Sequence, residues 1–358
     1  MIPVTKTFLP PIEEYKKLLD PIWEKNWITN RGGLVNQLEL RIKEKLGVWG
    51  LIVTANGTLP IQIALKLLAE KGEVITTPFS YVATTASIVW ENCTPVFVDI
   101  HPEYLTIDET KIEAAITDKT TAILATHVYG NPCNILEIEK IAEKHNLKVI
   151  YDAAHAFGVR YNGQSIFNFG DISTCSFHAT KIFHTGEGGA MFCKDFSLGI
   201  KMFYSHNFGH NGEEEFFGLG INAKMSELQA AMGLAVLPYV DNLVEKRKEL
   251  IKLYKQHLQF DNIKELRLRK GTEWNYSYYP IIFQTEIDLL KVKDYLNKKE
   301  IFPRRYFYPS LETLKYVKSP EMEISRSISK RILCLPLYES LRFNEVREIA
   351  DLINKTLY

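Results

Sequence analysis

Short apolar runs alternate with segments of helical periodicity over the first half of the chain. Runs rich in β-branched residues are predicted to form strands at 51–55, 73–77, 95–100, 121–128 and 148–154. Helical spacing follows these runs through about residue 70, at 81–91, near 108–116 and at 134–145. This alternation predicts an α/β fold with a mostly parallel sheet, in which ligands bind beyond the carboxyl ends of the strands.

The pattern changes on both sides of this alternation. Residues 1–12 carry turn and proline signals and are predicted to form an extended arm. Further helices are predicted at 13–25, 34–46, about 224–256 with a break or bend at Pro238, and 289–299. Residues 276–283 are predicted to form a strand, in a region richer in Lys, Glu and aromatic residues. We therefore expect a large domain at 1–240, which includes the arm, and a smaller C-terminal α+β domain at 241–358.

Composition narrows the class of protein. The 358 residues include 43 basic and 43 acidic side chains, so the formal net charge is zero and nothing indicates a nucleic-acid partner. The five cysteines are odd in number and widely spaced, which fits neither a disulfide framework nor a zinc site. The first residues lack the apolar region of a signal peptide, and no apolar stretch reaches ~20 residues. We predict a cytoplasmic protein with no membrane span and no metal site.

Three segments carry candidate chemistry, and the first is TANGT at 54–58, between a predicted strand and a predicted helix. Gly57 would let the backbone approach a ligand, and the helix N-terminus would offer free N–H groups to an anion. Thr58 would add a hydroxyl group. A Gly–Thr helix start is more often only a cap, so this segment alone does not establish an anion site.

The second segment is VIYDAAHAFG at 149–158, where Asp152 ends a strongly apolar strand. A carboxylate there would lie at the ligand-binding edge of the sheet. A buried carboxylate needs a partner, and a protonated pyridine nitrogen would be one. The alternative is that Asp152 caps the next turn, and His155 taken alone is more often a structural histidine.

The third segment is STCSFHATKIFHTGEGGAMF at 173–192, in which apolar residues flank Lys181 and a Gly-rich turn follows. Burial lowers the pKa of a lysine and makes the neutral amine nucleophilic, as Schiff-base chemistry requires. Taken alone, a lysine in this position is more often structural or exposed.

Together these segments resemble the sugar aminotransferases of the DegT/DnrJ/StrS family, which have the pyridoxal-phosphate (PLP) fold type I architecture. The resemblance covers nearly the whole chain. After the opening arm it includes NGT (56–58), TTPFSYVATTASIVW (76–90), YDAAHAFG (151–158), SFHATK (176–181), GEGGAM (186–191) and GINAKMSELQAAMG (220–233). The ordered set is specific, although no single member is, and it implies an enzyme with PLP as cofactor.

The resemblance also implies a role for each matching residue. Lys181 matches the catalytic lysine that holds PLP covalently and moves protons, and Asp152 matches the carboxylate that keeps the pyridine nitrogen protonated. Tyr81 and His155 match the residues on the two faces of the ring. The phosphate contacts are matched by Gly57, Thr58, Ser176 and, from the neighbouring subunit, Asn222. That last contact implies a homodimer with shared active sites, although Asn222 also resembles the N-cap of the helix that follows.

The implied reaction has two halves. L-glutamate gives up its amino group and leaves as 2-oxoglutarate, and a nucleotide-linked keto-sugar then takes the amino group. A dehydratase branch of the family carries histidine in place of the lysine, so Lys181 favours amino transfer. The opening segment and residues 176–185 look most like relatives that aminate carbon 4 of dTDP-4-keto-6-deoxyglucose. Amination of carbon 3 of a dTDP-3-keto-6-deoxyhexose is the alternative.

Contacts with the sugar nucleotide are predicted from PRRYFYPSL at 303–311. Arg304 and Arg305 could meet the diphosphate, and Tyr306 or Tyr308 the sugar or the base. A solvated basic turn explains the same segment equally well. His178 and His184 are interpreted as structural, with a role near the sugar or the amino donor as the alternative. On that alternative, His184 is a further candidate contact with the substrate.

Two other classes of protein share part of this pattern. A nicotinamide dehydrogenase would show the same α/β alternation, but no GxGxxG motif follows the first strand. A sensor that binds PLP or a sugar without turnover would keep the fold, yet Lys181 and Asp152 together favour an enzyme.

Overall fold

A computed structural model describes every residue from Met1 to Tyr358 and places a seven-stranded sheet at its centre. Its strands β1 to β7 are Gly50–Thr54, Glu73–Thr76, Thr94–Phe97, Thr120–Thr126, Lys148–Asp152, Ile172–Ser176 and Gly189–Cys193. Their order across the sheet is β1-β7-β6-β5-β4-β2-β3. Only β7 runs antiparallel to its neighbours, and all the other pairs are parallel. The predicted mostly parallel mixed sheet is therefore confirmed.

Helices cover both faces of this sheet. The helices α1 to α8 are Ile12–Lys25, Gly33–Leu46, Thr58–Leu68, Val82–Trp90, Glu109–Ile112, Ile135–His145, Phe196–Ser205 and Glu227–Val236. Successive strand residues point to opposite faces, so Val149 and Tyr151 of β5 enter one core while Ile150 enters another. Those two cores contain 41 and 17 buried residues, which explains why the strands are almost continuously apolar.

The C-terminal part of the chain has a smaller sheet of its own. Its strands β8, β9 and β10 are Ile263–Glu265, Pro280–Phe283 and Ile332–Cys334, and they pair antiparallel in that order. Its helices α9 to α12 are Val240–His257, Glu286–Lys298, Glu323–Arg331 and Phe343–Leu357. This region has a separate core of 21 buried residues, which lie between Leu250 and Ile353 in the sequence. The boundary near residue 240 stays a prediction, and the two regions are joined along α9.

Several further connections link the regions. Ile2–Pro3 pairs parallel with Ile301–Phe302, so the N-terminal arm begins against the C-terminal region. Asp99 accepts hydrogen bonds from the backbone N–H groups of Ile324 and Ser325, both at 2.8 Å, and so caps α11 from the region of the central sheet. A third small sheet is formed by two-residue strands at Arg160–Tyr161, Gln164–Ser165 and Thr272–Glu273.

Some predicted elements differ from the structure in their type or in their first residue. The helix expected near 108–116 is the single turn α5, followed by a 3₁₀ turn at Glu113–Ala115. The strand expected from 276 begins at Pro280, because Tyr276 lies in the left-handed region with φ of 54°. The helix expected from 224 begins at Glu227, and a 3₁₀ turn at Leu237–Tyr239, which contains Pro238, interrupts it as expected.

None of the helices combines the length and apolarity that crossing a bilayer requires.

Candidate active site

A cavity of about 410 Å³ opens at the carboxyl edge of the central sheet. The last residues of β4, β5 and β6, which are Thr126, Asp152 and Ser176, all line it. The predicted site residues that line this cavity are Gly57, Thr58, Tyr81, Asp152, His155, Ser176, Lys181, Arg304 and Tyr306. His178, whose alternative role lies near the sugar or the amino donor, lines it as well. A depression of about 610 Å³ between α1, α2 and α8 contains none of them, so chemistry and not size identifies the candidate site.

Asp152 is a buried carboxylate, 4% exposed, that forms no ion pair within the chain. One oxygen, Oδ2, accepts a hydrogen bond of 2.7 Å from the Thr84 hydroxyl, and Oδ1 accepts one of 3.1 Å from the Ala154 N–H. Burial raises the pKa of this carboxyl, against the opposing effect of these hydrogen bonds. A buried acid with neutral donors only is suited to receive a cation from a ligand.

A chain of three hydroxyl groups supports Asp152, and the sequence did not reveal it. The Ser80 and Thr84 hydroxyl oxygens lie 2.7 Å apart, and Thr126 donates to Ser80 at 3.1 Å. Because the single proton of Thr84 goes to Asp152, Ser80 must donate to Thr84. All the hydroxyl donors therefore point towards the carboxylate. The only sequence signal was the density of Thr and Ser in 76–87, which does not say which hydroxyl groups face inward.

Lys181 lies in a compact turn between β6 and β7. The next two residues, Ile182 and Phe183, are 3% and 0% exposed and anchor the turn in the core, which explains the apolar flanks of the lysine. The amine of Lys181 donates a hydrogen bond of 3.2 Å to the Tyr278 hydroxyl. Burial lowers the pKa of the amine, although nearby Tyr306 and Asp152 act in the opposite direction. The turn thus presents a partly buried amine with a raised neutral fraction to the cavity.

Two aromatic residues line the walls. Tyr81 occupies the N-cap position of α4 and is 55% exposed. His155 is buried, and Phe307 stacks on its ring at 5.4 Å with an interplanar angle of 3°. Burial lowers the pKa of His155 well below its usual range, and its Nδ1 accepts a hydrogen bond from the Tyr129 N–H. The imidazole is therefore neutral, with its proton on Nε2.

The start of α3 forms a small polar cradle. A Cβ atom on Gly57 would lie 2.7 Å from the Cβ of Ser176, so only glycine allows this close approach. The side chain of Asn56 accepts hydrogen bonds from the N–H groups of Thr58 and Leu59, at 2.9 and 3.0 Å. Two of the helix N–H groups expected to be free are therefore occupied. The Gly57 N–H and the hydroxyl groups of Thr58 and Ser176 stay available to an anion.

The other predicted residues lie outside the cavity, and their roles stay predictions. His184 is buried beneath the arm, with Nε2 at 2.7 Å from the Phe8 carbonyl oxygen. Arg305 forms a 2.6 Å ion pair with Glu286, and its guanidinium lies over the ring of Tyr308. Asn222 is exposed and accepts a hydrogen bond from Lys224.

Asn222 is not the N-cap that its position suggested. Ser226 caps α8 and forms a capping box with Gln229. The side chain of Asn222 is therefore not required for the start of this helix.

The residues of the cavity fit PLP. The amine of Lys181 can hold an aldehyde, Asp152 can receive a pyridinium, and the cradle at Gly57 can receive a phosphate group. The buried Asp152 carboxylate is the most specific of these features, since it forms no ion pair within the chain and a protonated ring nitrogen would supply one.

This fold and this site define the fold type I class of PLP-dependent enzymes. Within that class, the chain belongs to the DegT/DnrJ/EryC1/StrS aminotransferase family, whose family model matches residues 12–354. The membership predicted from the sequence is confirmed, and it excludes the alternative of a nicotinamide dehydrogenase.

Several relatives match nearly the full length of the chain. The dTDP-4-amino-4,6-dideoxy-D-glucose transaminase of Shigella dysenteriae is 41% identical over 359 residues, covering 98% of both chains. The enzyme of the same name from Escherichia coli is 38% identical over 371 residues, also covering 98% of both. A solved structure of DesI in the presence of its TDP-sugar product is 29% identical with a TM-score of 0.92, and the match covers 99% of this chain and 92% of that one.

Proposed function

We propose that this protein transfers the amino group of L-glutamate to carbon 4 of dTDP-4-keto-6-deoxy-D-glucose. The products are 2-oxoglutarate and dTDP-4-amino-4,6-dideoxy-D-glucose. The observation that carries the proposal is the placement of Lys181 and the ion-pair-free carboxylate Asp152 in one cavity at the carboxyl edge of the sheet. The names of the Shigella and Escherichia relatives support the sugar.

The residues of the cavity divide the work of the reaction. PLP, when bound, supplies an electron-withdrawing ring that stabilises negative charge at the carbon next to the amino group. Asp152 holds a proton on the ring nitrogen. Lys181 holds the coenzyme and, when its amine is free, removes the proton from the α-carbon of glutamate and returns one to the sugar carbon. His155 and Tyr81 would restrict the ring from its two faces.

The phosphate group would lie against Gly57, Thr58 and Ser176, and Asn222 would reach it from a second copy of the chain. The exposed position of Asn222, outside the cavity of its own chain, supports this assignment. We therefore propose a homodimer with shared active sites, located in the cytoplasm.

The position of Arg304 is evidence that the substrate carries an anionic group. It lines the cavity, it is exposed, and it has no acidic partner in the chain. We assign it to the diphosphate of the sugar nucleotide and assign Tyr306, which lies beneath its guanidinium, to the sugar or base. Arg305 and Tyr308 contact each other outside the cavity. We expect them to contact the diphosphate and the sugar or base only if the segment 303–308 moves.

The test is incubation of the purified protein with PLP, L-glutamate and a panel of 3-keto and 4-keto nucleotide sugars, with products identified by mass and NMR. We expect a 4-amino sugar and an equal amount of 2-oxoglutarate. A 3-amino product would replace the proposed substrate by the carbon-3 alternative. Absence of any amino sugar, together with no conversion of glutamate, would contradict the function.

A further inference from the structure

The Lys181 amine has a single hydrogen-bond partner in the chain. Its Nζ donates to the Tyr278 hydroxyl at 3.2 Å, and no carboxylate forms an ion pair with it. Tyr278 also lines the same cavity as Lys181. The position of the amine is therefore determined by one phenol, which belongs to a segment 97 residues further along the chain.

Tyr278 is itself held firmly. Its ring packs edge-on against His155 at 4.9 Å and against Tyr306 at 5.3 Å. The preceding residue, Ser277, donates a hydrogen bond of 3.0 Å to the His155 carbonyl, and its own carbonyl accepts one of 2.9 Å from Arg247. A side chain with this support loses little additional freedom when it binds a partner.

A second set of hydrogen bonds connects the segment of Tyr278 to the residues that follow Asp152. Asn275, which is 2% exposed, donates hydrogen bonds of 2.9 Å to the carbonyl groups of both His155 and Phe157. These carbonyl groups belong to the segment that directly follows Asp152. Tyr278 is therefore fixed relative to the buried carboxylate as well as to the lysine.

The neutral charge of the Tyr278 hydroxyl also suits a partner of the Lys181 amine. Burial raises the pKa of Tyr278, so the hydroxyl stays protonated and neutral at physiological pH. A carboxylate in its place would favour the charged ammonium form of Lys181. A neutral phenol favours the ammonium form much less than a carboxylate would, so most of the reduction in pKa that burial gives Lys181 is retained.

We propose that Tyr278 is a positioning residue that accepts a hydrogen bond from the Lys181 amine and directs its lone pair at the reacting carbon. This role rests on the proposed function, in which Nζ of Lys181 takes the proton from the glutamate α-carbon and then passes it on. Tyr278 keeps its own proton throughout. Its effect is exerted through Lys181 and not through contact with the sugar nucleotide.

The test compares Tyr278→Phe with Tyr279→Phe. Tyr279 is the neighbouring tyrosine, and its hydroxyl donates to Glu265 outside the cavity, so it is a matched control for loss of one phenol hydroxyl. The first readout is the pH dependence of trace acetylation of Lys181 in the coenzyme-free protein, followed by mass spectrometry. Tyr278→Phe is expected to lower the apparent pKa of Lys181 by about 0.5–1 unit, because the ammonium form loses a stronger hydrogen bond than the amine does. Tyr279→Phe is expected to leave it unchanged.

The second readout is the glutamate half-reaction in a single turnover, followed by the absorbance of the coenzyme. Tyr278→Phe is expected to slow it about 10- to 100-fold, to raise the isotope effect from α-deuterated glutamate, and to leave the apparent glutamate affinity unchanged. Tyr278→His retains an aromatic hydrogen-bond acceptor and is expected to recover part of the rate. It also provides the comparison with wild type should the Phe variant fold poorly.

The outcomes separate the two proposals. If both Phe variants show the same Lys181 titration and the same half-reaction rate as wild type, Tyr278 does not position the amine, while the function stands. If wild-type protein converts no glutamate, the function fails, and the acetylation profile still decides whether Tyr278 controls Lys181. A rate loss in Tyr278→Phe caused only by weaker glutamate binding would also overturn the positioning role.

Discussion

The floor and the rim of the cavity differ in how their polar groups are held. At the floor, which we define as Thr84, Asp152, His155 and Lys181, each side chain has at least one hydrogen-bond partner within the chain. At the rim, Tyr81 is 55% exposed and Arg304 has no acidic partner.

This difference separates the groups that take part in the reaction from the groups that recognise the substrate. Groups that hold or move protons must be oriented before the substrate arrives, because reorientation during the reaction adds to the barrier. Groups that recognise a charged substrate can stay solvated until it binds. Substitutions at the floor should therefore reduce the rate of both half-reactions, whereas substitution of Arg304 at the rim should affect only the half-reaction of the sugar nucleotide.

The largest effect is expected for Lys181→Ala. Loss of the only amine in the cavity removes both the attachment of the coenzyme and the proton acceptor, so turnover should fall by at least ~10³-fold. Single-turnover absorbance with glutamate measures this loss. Lys194, which lies outside the cavity, provides the control Lys194→Ala. A Lys181→Ala protein with wild-type turnover would show that another group performs the transfer.

The next largest effect is expected for Asp152→Asn. The amide keeps the size of the side chain but removes the charge that a protonated ring nitrogen requires, so both half-reactions should slow by ~10²–10³-fold. Stopped-flow measurement of each half-reaction tests this. A loss confined to the sugar half-reaction would contradict the placement of Asp152 at the floor.

At the rim, Arg304→Gln should raise the KM for the sugar nucleotide by ~10- to 100-fold, through loss of one charge-assisted hydrogen bond. The glutamate half-reaction should stay at its wild-type rate. Arg305→Gln makes the comparison sharper, because Arg305 is already paired with Glu286 and should give the smaller change in KM. An equal rise in KM for the two variants would place both arginines at the diphosphate.

The smallest effect is expected for Thr84→Val. It removes the donor to Asp152 Oδ2 and interrupts the chain of hydroxyl groups from Thr126, so both half-reactions should slow by ~10-fold. Thr84→Ser retains the hydroxyl and should restore most of the rate. If the serine variant is as slow as the valine variant, the methyl group and not the hydrogen bond accounts for the loss.

The sequence predicted the floor better than it predicted the rim. Asp152 and Lys181 lie within continuous segments, at the end of β5 and in the turn after β6, so local sequence carries both their identity and their placement. Thr84 and Tyr278 could not be selected in the same way. Each is one of several similar residues in its segment, and only the tertiary structure determines which hydroxyl group faces inward.

The rim shows a second limit. Arg304 and Arg305 are adjacent, yet the backbone of Arg304 pairs with Cys334 and its side chain lines the cavity, while that of Arg305 turns to Glu286. In a segment without regular periodicity, the sequence alone does not indicate which side chains face the cavity. The expected start of the strand at 276 is wrong for a related reason, since the left-handed backbone at Tyr276 is a local exception to an apolar pattern.

Reduction of the PLP-loaded protein with borohydride, followed by proteolysis and mass spectrometry, tests the central claim most directly. We predict that the reduced coenzyme is found on one peptide only, attached to Lys181. Attachment to a different lysine, or a protein that stays colourless and unlabelled with added PLP, would contradict the assignment of the active site.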